Sequence, residues 1–408
     1  MHFLTELKEG LAISFGAIRA NTMRSVLTTL GIIIGICAVT LMGTAMEGVN
    51  RAFDRSAAAF GTDVLYIQKF PWLSNEDWST FMNRRNIKVR FAEQVERKAS
   101  LIHAVAPTMS TRRRVWFGND VTEDAFISGT TSSYPASAGV TLADGRFFTD
   151  EESRGGRPVC VIGATIAENL FPKIDPIGKT LRVAGVPYTV VGVFEKQGGL
   201  FGEFTSDMRV YVPLISFQGH FGGHRDVTIQ VRVANQSLME DAKIELEGIM
   251  RALRRLEPGE PNDFNINQQE ILTNTFGPIS ATIAGIGLFI TGLSLFVGGI
   301  GIMNIMFVSV TERTREIGIR KAIGAPKRSI LFQFLAEAAA LCLIGGVIGL
   351  LIAYIASLIV DHLILPTAMP VSMVFVSLIV SIMVGVISGF LPAYRAARMD
   401  PVEALRYE

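Results

Sequence analysis

Four long apolar stretches, at residues 25–46, 279–310, 330–360 and 371–391, limit what this chain can become. A membrane-spanning helix needs about 20 mostly apolar residues. Each stretch supplies that many without a single Lys or Arg, and the one acidic residue within them is Glu337. Inside lipid a chain must satisfy its own backbone hydrogen bonds, so such runs fold as helices. The expected fold class is an α-helical membrane protein with four transmembrane helices plus a large α+β extracytoplasmic domain between the first two. As a helix, the second stretch would reach about 48 Å, well over the roughly 30 Å hydrocarbon core. It is expected to tilt or to continue outward as a stalk.

Orientation follows from Lys and Arg in the short segments. Lys8, Arg19 and Arg24 precede the first stretch. Arg313, Arg315, Arg320, Lys321, Lys327 and Arg328 fill the segment 311–329, and Arg395, Arg398 and Arg406 lie in the tail 392–408. The short link 361–370 has neither residue type. Both termini and 311–329 are therefore expected in the cytoplasm, and 47–278 outside. The leader 1–24 carries Phe3, Leu4, Leu7, Leu11, Phe15 and Ile18 at spacings of three and four. That pattern predicts an amphipathic helix along the membrane surface. The leader is long for a signal peptide's charged region, so the first stretch reads as a retained helix.

Composition closes off other classes. With 38 Lys+Arg against 37 Asp+Glu, the chain lacks the charge excess of a nucleic-acid binder. Three cysteines exclude a disulfide-stapled module. The apolar content, 49%, excludes disorder.

The outer segment mixes strand and helix patterns. "DVLYIQ", "RFAEQVERKA", "DVTIQVRVA" and the amphipathic run 237–256 predict an α/β part at about 47–120 and 213–278. Strands such as "PVCVIGA" and "PYTVVGVFE", broken by Gly and Pro, predict a β-rich insertion at about 121–212. Cys160 sits in one of these and reads as a core thiol. Catalytic chemistry is not expected. "GKT" at 178–180 lacks the Gly that a phosphate loop needs at position 173, which is Lys. His220 and His224, with Asp226 nearby, have a spacing that suits a metal on a helix. Their Gly-rich setting predicts a loop instead, so no metal site is assigned. Arg112, Arg113 and Arg114 beside Trp116 and Phe117, and Phe201 with Leu200 and Phe204 in a Gly-rich loop, are candidates for a protein contact. A solvated edge is the plainer reading of the arginines.

Small-residue pairs recur in the apolar runs: Gly31 and Gly35, Gly345 and Gly349, Gly385 and Gly389. Each lets helix backbones approach closely in lipid, within one subunit or between two.

The stretch 309–330 is the most specific. Glu316 and Arg320 lie i,i+4 in the favourable order on a short helix. Ile317, Ile319, Ala322 and Ile323 give it an apolar component that must pack on something. Gly324 can cap it, and Pro326 blocks continuation. Farther on, Asp400, Pro401 and Glu403 form the start signal of a terminal helix.

Three motifs carry a resemblance. "RSVLTTLGIIIGICAV" at 24–39, "VGGIGIMNIMFVSVTERTREIGIRKAIGA" at 297–325 and "LPAYRAARMDPVEALRYE" at 391–408 resemble the MacB-type, FtsX-like permeases of ABC transporters. The resemblance implies a dimeric permease of the bacterial inner membrane whose periplasmic core has "Porter" and "Sabre" subdomains. It implies a coupling helix at about 312–323 that docks on cytoplasmic ATPase subunits. Glu312, Arg313, Arg315, Glu316, Ile317, Gly318, Ile319, Arg320, Lys321 and Gly324 match that motif. ATP and Mg would then sit on the ATPase, with no cofactor on this chain. Motion of the outer domain would expel substrate into an adaptor (a membrane fusion protein) and an outer-membrane duct. The namesake pump fuses its ATPase to the permease. No Walker A motif occurs here, so a separate ATPase subunit is expected. Lipoprotein release is an alternative within this fold. So is an FtsX-like signalling role on cell-wall hydrolases, although an outer domain this large argues against it.

Overall fold

A computed structural model describes residues 22–74, 77–197, 206–363 and 369–406. The predicted leader helix and Phe201, with Leu200 and Phe204, lie outside them. The chain divides into two units, one of residues 1–50 with 278–408 and one of residues 51–277.

The described residues of the unit 51–277 form ten strands: β1 (Val64–Gln68), β2 (Ile102–Phe117), β3 (Asp120–Thr130), β4 (Leu142–Gly145), β5 (Val159–Ile162), β6 (Thr180–Val183), β7 (Val186–Phe194), β8 (Arg209–Pro213), β9 (Thr228–Val233) and β10 (Asn265–Gln268). Their order is β10-β1-β9-β2-β3-β8-β5-β7-β4, with β6 pairing β2 and β7. The β3–β8 and β5–β7 pairs are parallel and the others antiparallel. β2 is common to both halves of this sheet. Its residues 102–108 pair with β9, and from Met109 onward it pairs with β3. The change of partner falls between Thr108 and Met109, inside β2. Strand periodicity continues unbroken where the partner changes, so local pattern carries no mark of it.

Amphipathic helices cover the first half. Helix α3 (Val89–Lys98) buries Phe91, Ala92 and Val95, while α8 (Met239–Arg254) buries Ala242, Leu246 and Met250 at four-residue spacing. Between β1 and α3 lies α2 (Trp78–Met82), and α4 (Tyr134–Ala138), α5 (Asp150–Arg154), α6 (Ala164–Leu170) and α7 (Leu214–Phe221) punctuate the second half. Gly129 of β3 lies directly under Phe217 of α7, where a Cβ would collide with the Phe217 side chain. Cys160 is fully buried, and burial pushes its thiol far above the usual range.

Among the described residues four helices, lying wholly or mostly in the other unit, are long and apolar enough to cross a membrane: α1 (Thr22–Ala58), α9 (Gln269–Glu312), α11 (Lys327–Leu363) and α12 (Val371–Arg398). All four outrun the apolar stretches that predicted them. α1 continues twelve residues past Met46, α9 begins ten residues before Ile279, and α12 passes through Pro392 to Arg398. Polar residues end an apolar run but not a helix, because helix geometry is satisfied by backbone bonds alone. Helices α1 and α9 run unbroken through residues 50 and 278, where the chain passes between the units.

Each of the six predicted packing glycines faces another helix of the same chain. A Cβ on Gly31 would lie 3.0 Å from Gly298 Cα, and one on Gly35 2.6 Å from Leu295 Cδ2. Gly345 and Gly349 face Ile32, Ile33 and Ile36, while Gly385 and Gly389 face Ala338. Buried hydroxyls join the helices as well. Thr40 Oγ1 lies 2.7 Å from Ser377 Oγ, and Ser381 donates to the Cys342 carbonyl.

Candidate functional site

At the end of α9 the chain turns at Arg313 and forms the short helix α10 (Thr314–Ala322) before α11 begins. Gly324 adopts φ +101°, a conformation that side-chain-bearing residues rarely take. The Gly324 N–H donates to Lys321 O and the Ala325 N–H to Arg320 O, both at 3.0 Å. This is the Schellman arrangement that closes a helix with its last carbonyls satisfied.

Helix α10 is held at four points. Arg313 Nη1 lies 3.4 Å from both carboxylate oxygens of Glu337, which is only 5% exposed in α11. Arg320 donates to Gln333 Oε1 at 2.8 Å and to Glu316 Oε1 at 2.6 Å. Gln333 and Glu337 are one turn apart on α11, so both arginines grip the same stripe. Lys321 Nζ donates to Met399 O at 2.6 Å. Finally, Gly318 packs on Ala404 of the terminal helix α13 (Pro401–Arg406), where a Cβ would lie 2.8 Å from Ala404 Cβ. Asp400 accepts from the Val402 N–H at 2.8 Å and fixes the start of α13. Burial, helped by the charge of Lys327, holds the Lys321 ammonium below the usual lysine range, with Asp400 opposing.

The ten residues expected to form a coupling helix thus divide by direction. Arg313, Ile317, Gly318, Arg320 and Lys321 face the bundle. Ile317 belongs to the buried apolar cluster that includes Ile302, Val310, Ile330 and Phe334. Glu312, Arg315, Glu316, Ile319 and Gly324 are exposed. The apolar positions divide: Ile317 is buried, whereas Ile319 is 45% and Ile323 82% exposed, one turn apart. Sequence reasoning left Ile323 out of the site. It also left out the mounting residues Gln333, Glu337, Met399 and Ala404, of which Glu337 alone gave a signal, as a lone acid in an apolar run.

In the sheet unit the arginine triplet lies on β2, where the pairing shifts between Arg113 and Val115. All three arginines are exposed. Arg112 lies over the Phe126 ring at 4.4 Å, and Arg114 pairs with Glu123 at 2.9 Å. His220 is on α7, not in a loop. Its Nδ1 is 2.8 Å from Ser216 O, and α7 ends at Gly222, before His224. Among the described residues no group of three or more His, Cys, Asp or Glu is placed to hold a metal.

The four-helix unit, the large sheet unit that follows its first helix, and the mounted helix α10 define a class, a multi-pass membrane permease with a domain outside the bilayer. The MacB-like periplasmic core domain family matches residues 25–249, and the FtsX-like permease C-terminal family matches residues 288–401. The chain belongs to the MacB-type, FtsX-like family of ABC transporter permeases. It is 33% identical over 417 residues to the pyoverdine export ATP-binding/permease protein PvdT of Pseudomonas syringae pv. tomato, a match covering 99% of this chain and 60% of that one. It is 32% identical over 413 residues to the uncharacterised ABC transporter permease YknZ of Bacillus subtilis, covering 98% of this chain and 100% of that one. The crystal structure of the periplasmic region of MacB from Actinobacillus actinomycetemcomitans matches 54% of this chain and 94% of its own, at 22% identity and a TM-score of 0.44.

Proposed function

We propose that this chain is the permease subunit of an ABC exporter and that α10 receives the stroke of a cytoplasmic ATPase. One observation carries the reading. A short helix clamped to the bundle at four points turns two isoleucines, Ile319 and Ile323, away from it. Exposed apolar side chains on a rigid mount suit a partner that pushes. The arginine-rich segments at this end support a cytoplasmic side for it and for both termini, in a bacterial inner membrane. Helices α1 and α9, unbroken from one unit into the other, suit transmission of that stroke to the periplasmic domain, without substrate crossing through a pore. Its two sheet halves are read as the Porter-like and Sabre-like subdomains.

The relative PvdT is named for ATP binding as well as permease function, and this chain spans 60% of its length. YknZ, named a permease alone, is matched in full. That contrast supports ATP binding on a separate subunit, where ATP and Mg supply the energy. The working unit is a dimer with an identical or related permease chain. On the outer side, Arg112, Arg113 and Arg114 offer an adaptor contact, leading to an outer-membrane duct in a tripartite pump.

The test is purification of the full chain from native membranes in mild detergent, with identification of what accompanies it. An ATP-binding subunit is expected with the wild type, and about ten-fold less of it with Ile319→Asp/Ile323→Asp. An adaptor in the same preparation supports efflux. A cell-wall hydrolase or a lipoprotein carrier in its place overturns efflux. Wild-type capture that brings down no ATP-binding protein, or capture unchanged by the double substitution, overturns the coupling role.

A further inference from the structure

The basic residues at the α10 end of the bundle are not alike. Arg313, Arg320 and Lys321 each spend their donors on the protein. Arg395 and Arg398, in the last turn of α12, do not. Among the described residues neither has a carboxylate partner or a hydrogen-bond acceptor. Each is braced on an aromatic ring instead. The Arg395 guanidinium lies 5.1 Å over the ring of Phe307 on α9, and that of Arg398 lies 4.7 Å over the ring of Tyr394. Tyr394 is stacked on Phe390, and both are exposed.

A guanidinium on a ring has one face covered and its edge, with five N–H donors, turned outward. The spacing of three residues puts both arginines on one face of α12. They follow directly on the apolar run 371–391, where a spanning helix reaches the level of lipid headgroups. Guanidinium edges at that depth have the donor chemistry that recognises a phosphate. The aromatic rings offer a surface for the first methylenes of acyl chains. A helix C-terminus favours any cation, lysine included, so the dipole does not account for two ring-braced arginines.

We propose that the surface formed by Phe307, Tyr394, Arg395 and Arg398 is a binding site for an anionic phospholipid, held by its phosphate. Phosphatidylglycerol is the class that fits. Its headgroup adds no second charge, whereas the ammonium of a zwitterionic lipid would be brought against two guanidinium groups. The site serves this end of the bundle whichever partner docks on α10, and it does not depend on the transport reading.

The experiment places the full chain in nanodiscs of phosphatidylcholine with a minor share of phosphatidylglycerol. Native mass spectrometry then identifies the lipid that stays bound on release. The wild type is expected to retain phosphatidylglycerol over phosphatidylcholine, and Arg395→Gln/Arg398→Gln to lose that preference by about ten-fold or more. Arg395→Lys/Arg398→Lys keeps the charge and loses the fork, so it should fall between them. Equal retention of the two lipids by the wild type, or unchanged selectivity in the Gln variant, overturns the proposal. A second arm adds inorganic phosphate to the chain in phosphatidylcholine alone. Thermal stabilisation there as large as that given by phosphatidylglycerol would assign the site to a soluble phosphate and overturn the lipid assignment.

Discussion

Glycines at three close approaches, two in the helical unit and one in the sheet unit, meet different neighbours. In the helical unit Gly31 faces the backbone of Gly298, and Gly385 lies under the backbone of Ala338 and Ala339. In the sheet unit Gly129 makes room for the ring of Phe217, which is fully buried. The difference reflects solvent. Between helices in lipid no hydrophobic gain is available, because the tails are as apolar as the side chains, so close backbone contact and hydroxyl bonds such as Thr40–Ser377 hold the bundle. In water the gain comes from burying large apolar area, and the sheet unit fills its core with Phe217, Tyr188, Tyr211 and Phe264. Gly31 and Gly385 are backbone contacts, whereas Gly129 is a vacancy for a neighbour.

That contrast can be broken most severely at Gly385. A Cβ there would lie 2.8 Å from Ala338 O and from Ala339 Cα, both backbone atoms that cannot rotate aside. Gly385→Val is expected to abolish a monodisperse peak in detergent chromatography of the full chain, while hydrogen-exchange protection within 51–277 of that same chain is kept. Next is Phe217→Ala, which empties a fully buried site and should cost about 3–5 kcal/mol in chemical denaturation of the sheet unit. It should leave chromatography of the full chain unchanged.

Electrostatic mounting comes third. Glu337→Gln leaves Arg313 facing a neutral group and should cost about 3 kcal/mol. Hydrogen exchange should rise in 314–325 and stay unchanged in the sheet unit. The exchanged pair Arg313→Glu/Glu337→Arg should recover part of the protection, and failure to recover any would remove the pair from the mount. The smallest effect is a pH dependence confined to the sheet unit. Glu152 receives two hydrogen bonds from Arg146 and one from the Thr149 N–H, and its carboxyl is held down at about 2, first by Arg146. A carboxylate with a depressed folded value stabilises above its ordinary unfolded range and loses that contribution as pH falls toward the folded value. The melting temperature of the wild-type unit should fall between about pH 5 and pH 2. Glu152→Gln should flatten part of that fall, and an unaltered slope would show that other carboxylates govern it.

How much of this was readable in the sequence also differs between the units. The four helices were legible because length and apolarity are sufficient evidence in lipid. Their ends were not, since Glu47, Asn50 and Arg51 stop the apolar run without stopping α1. The short helix 314–322, its Glu316–Arg320 pair and its Gly324 cap were legible because all three are local. Its mount was not. Arg313 and Glu337 are 24 residues apart, and Lys321 and Met399 are 78; no spacing rule connects them. In the sheet unit the strands could be read from alternation, but the change of partner within β2 could not, because pairing is chosen by segments far off in the chain.

That shared strand has a practical consequence for recombining such domains. Residues 109–227 leave the first half through β2 and return to it at β9, so they can be treated as a cassette. The return to β9 is pinned, since Asp226 accepts from the Ile87 N–H at 2.8 Å and Val227 is buried. The entrance is set by the strand itself, because Thr108 and Met109 are neighbours on β2. Side chains alternate across a strand, and an odd number of residues added there would turn every downstream side chain of β2 to the wrong face. Chimaeras between relatives should therefore conserve parity at 108/109, and insertions of two residues should be accepted where insertions of one are not.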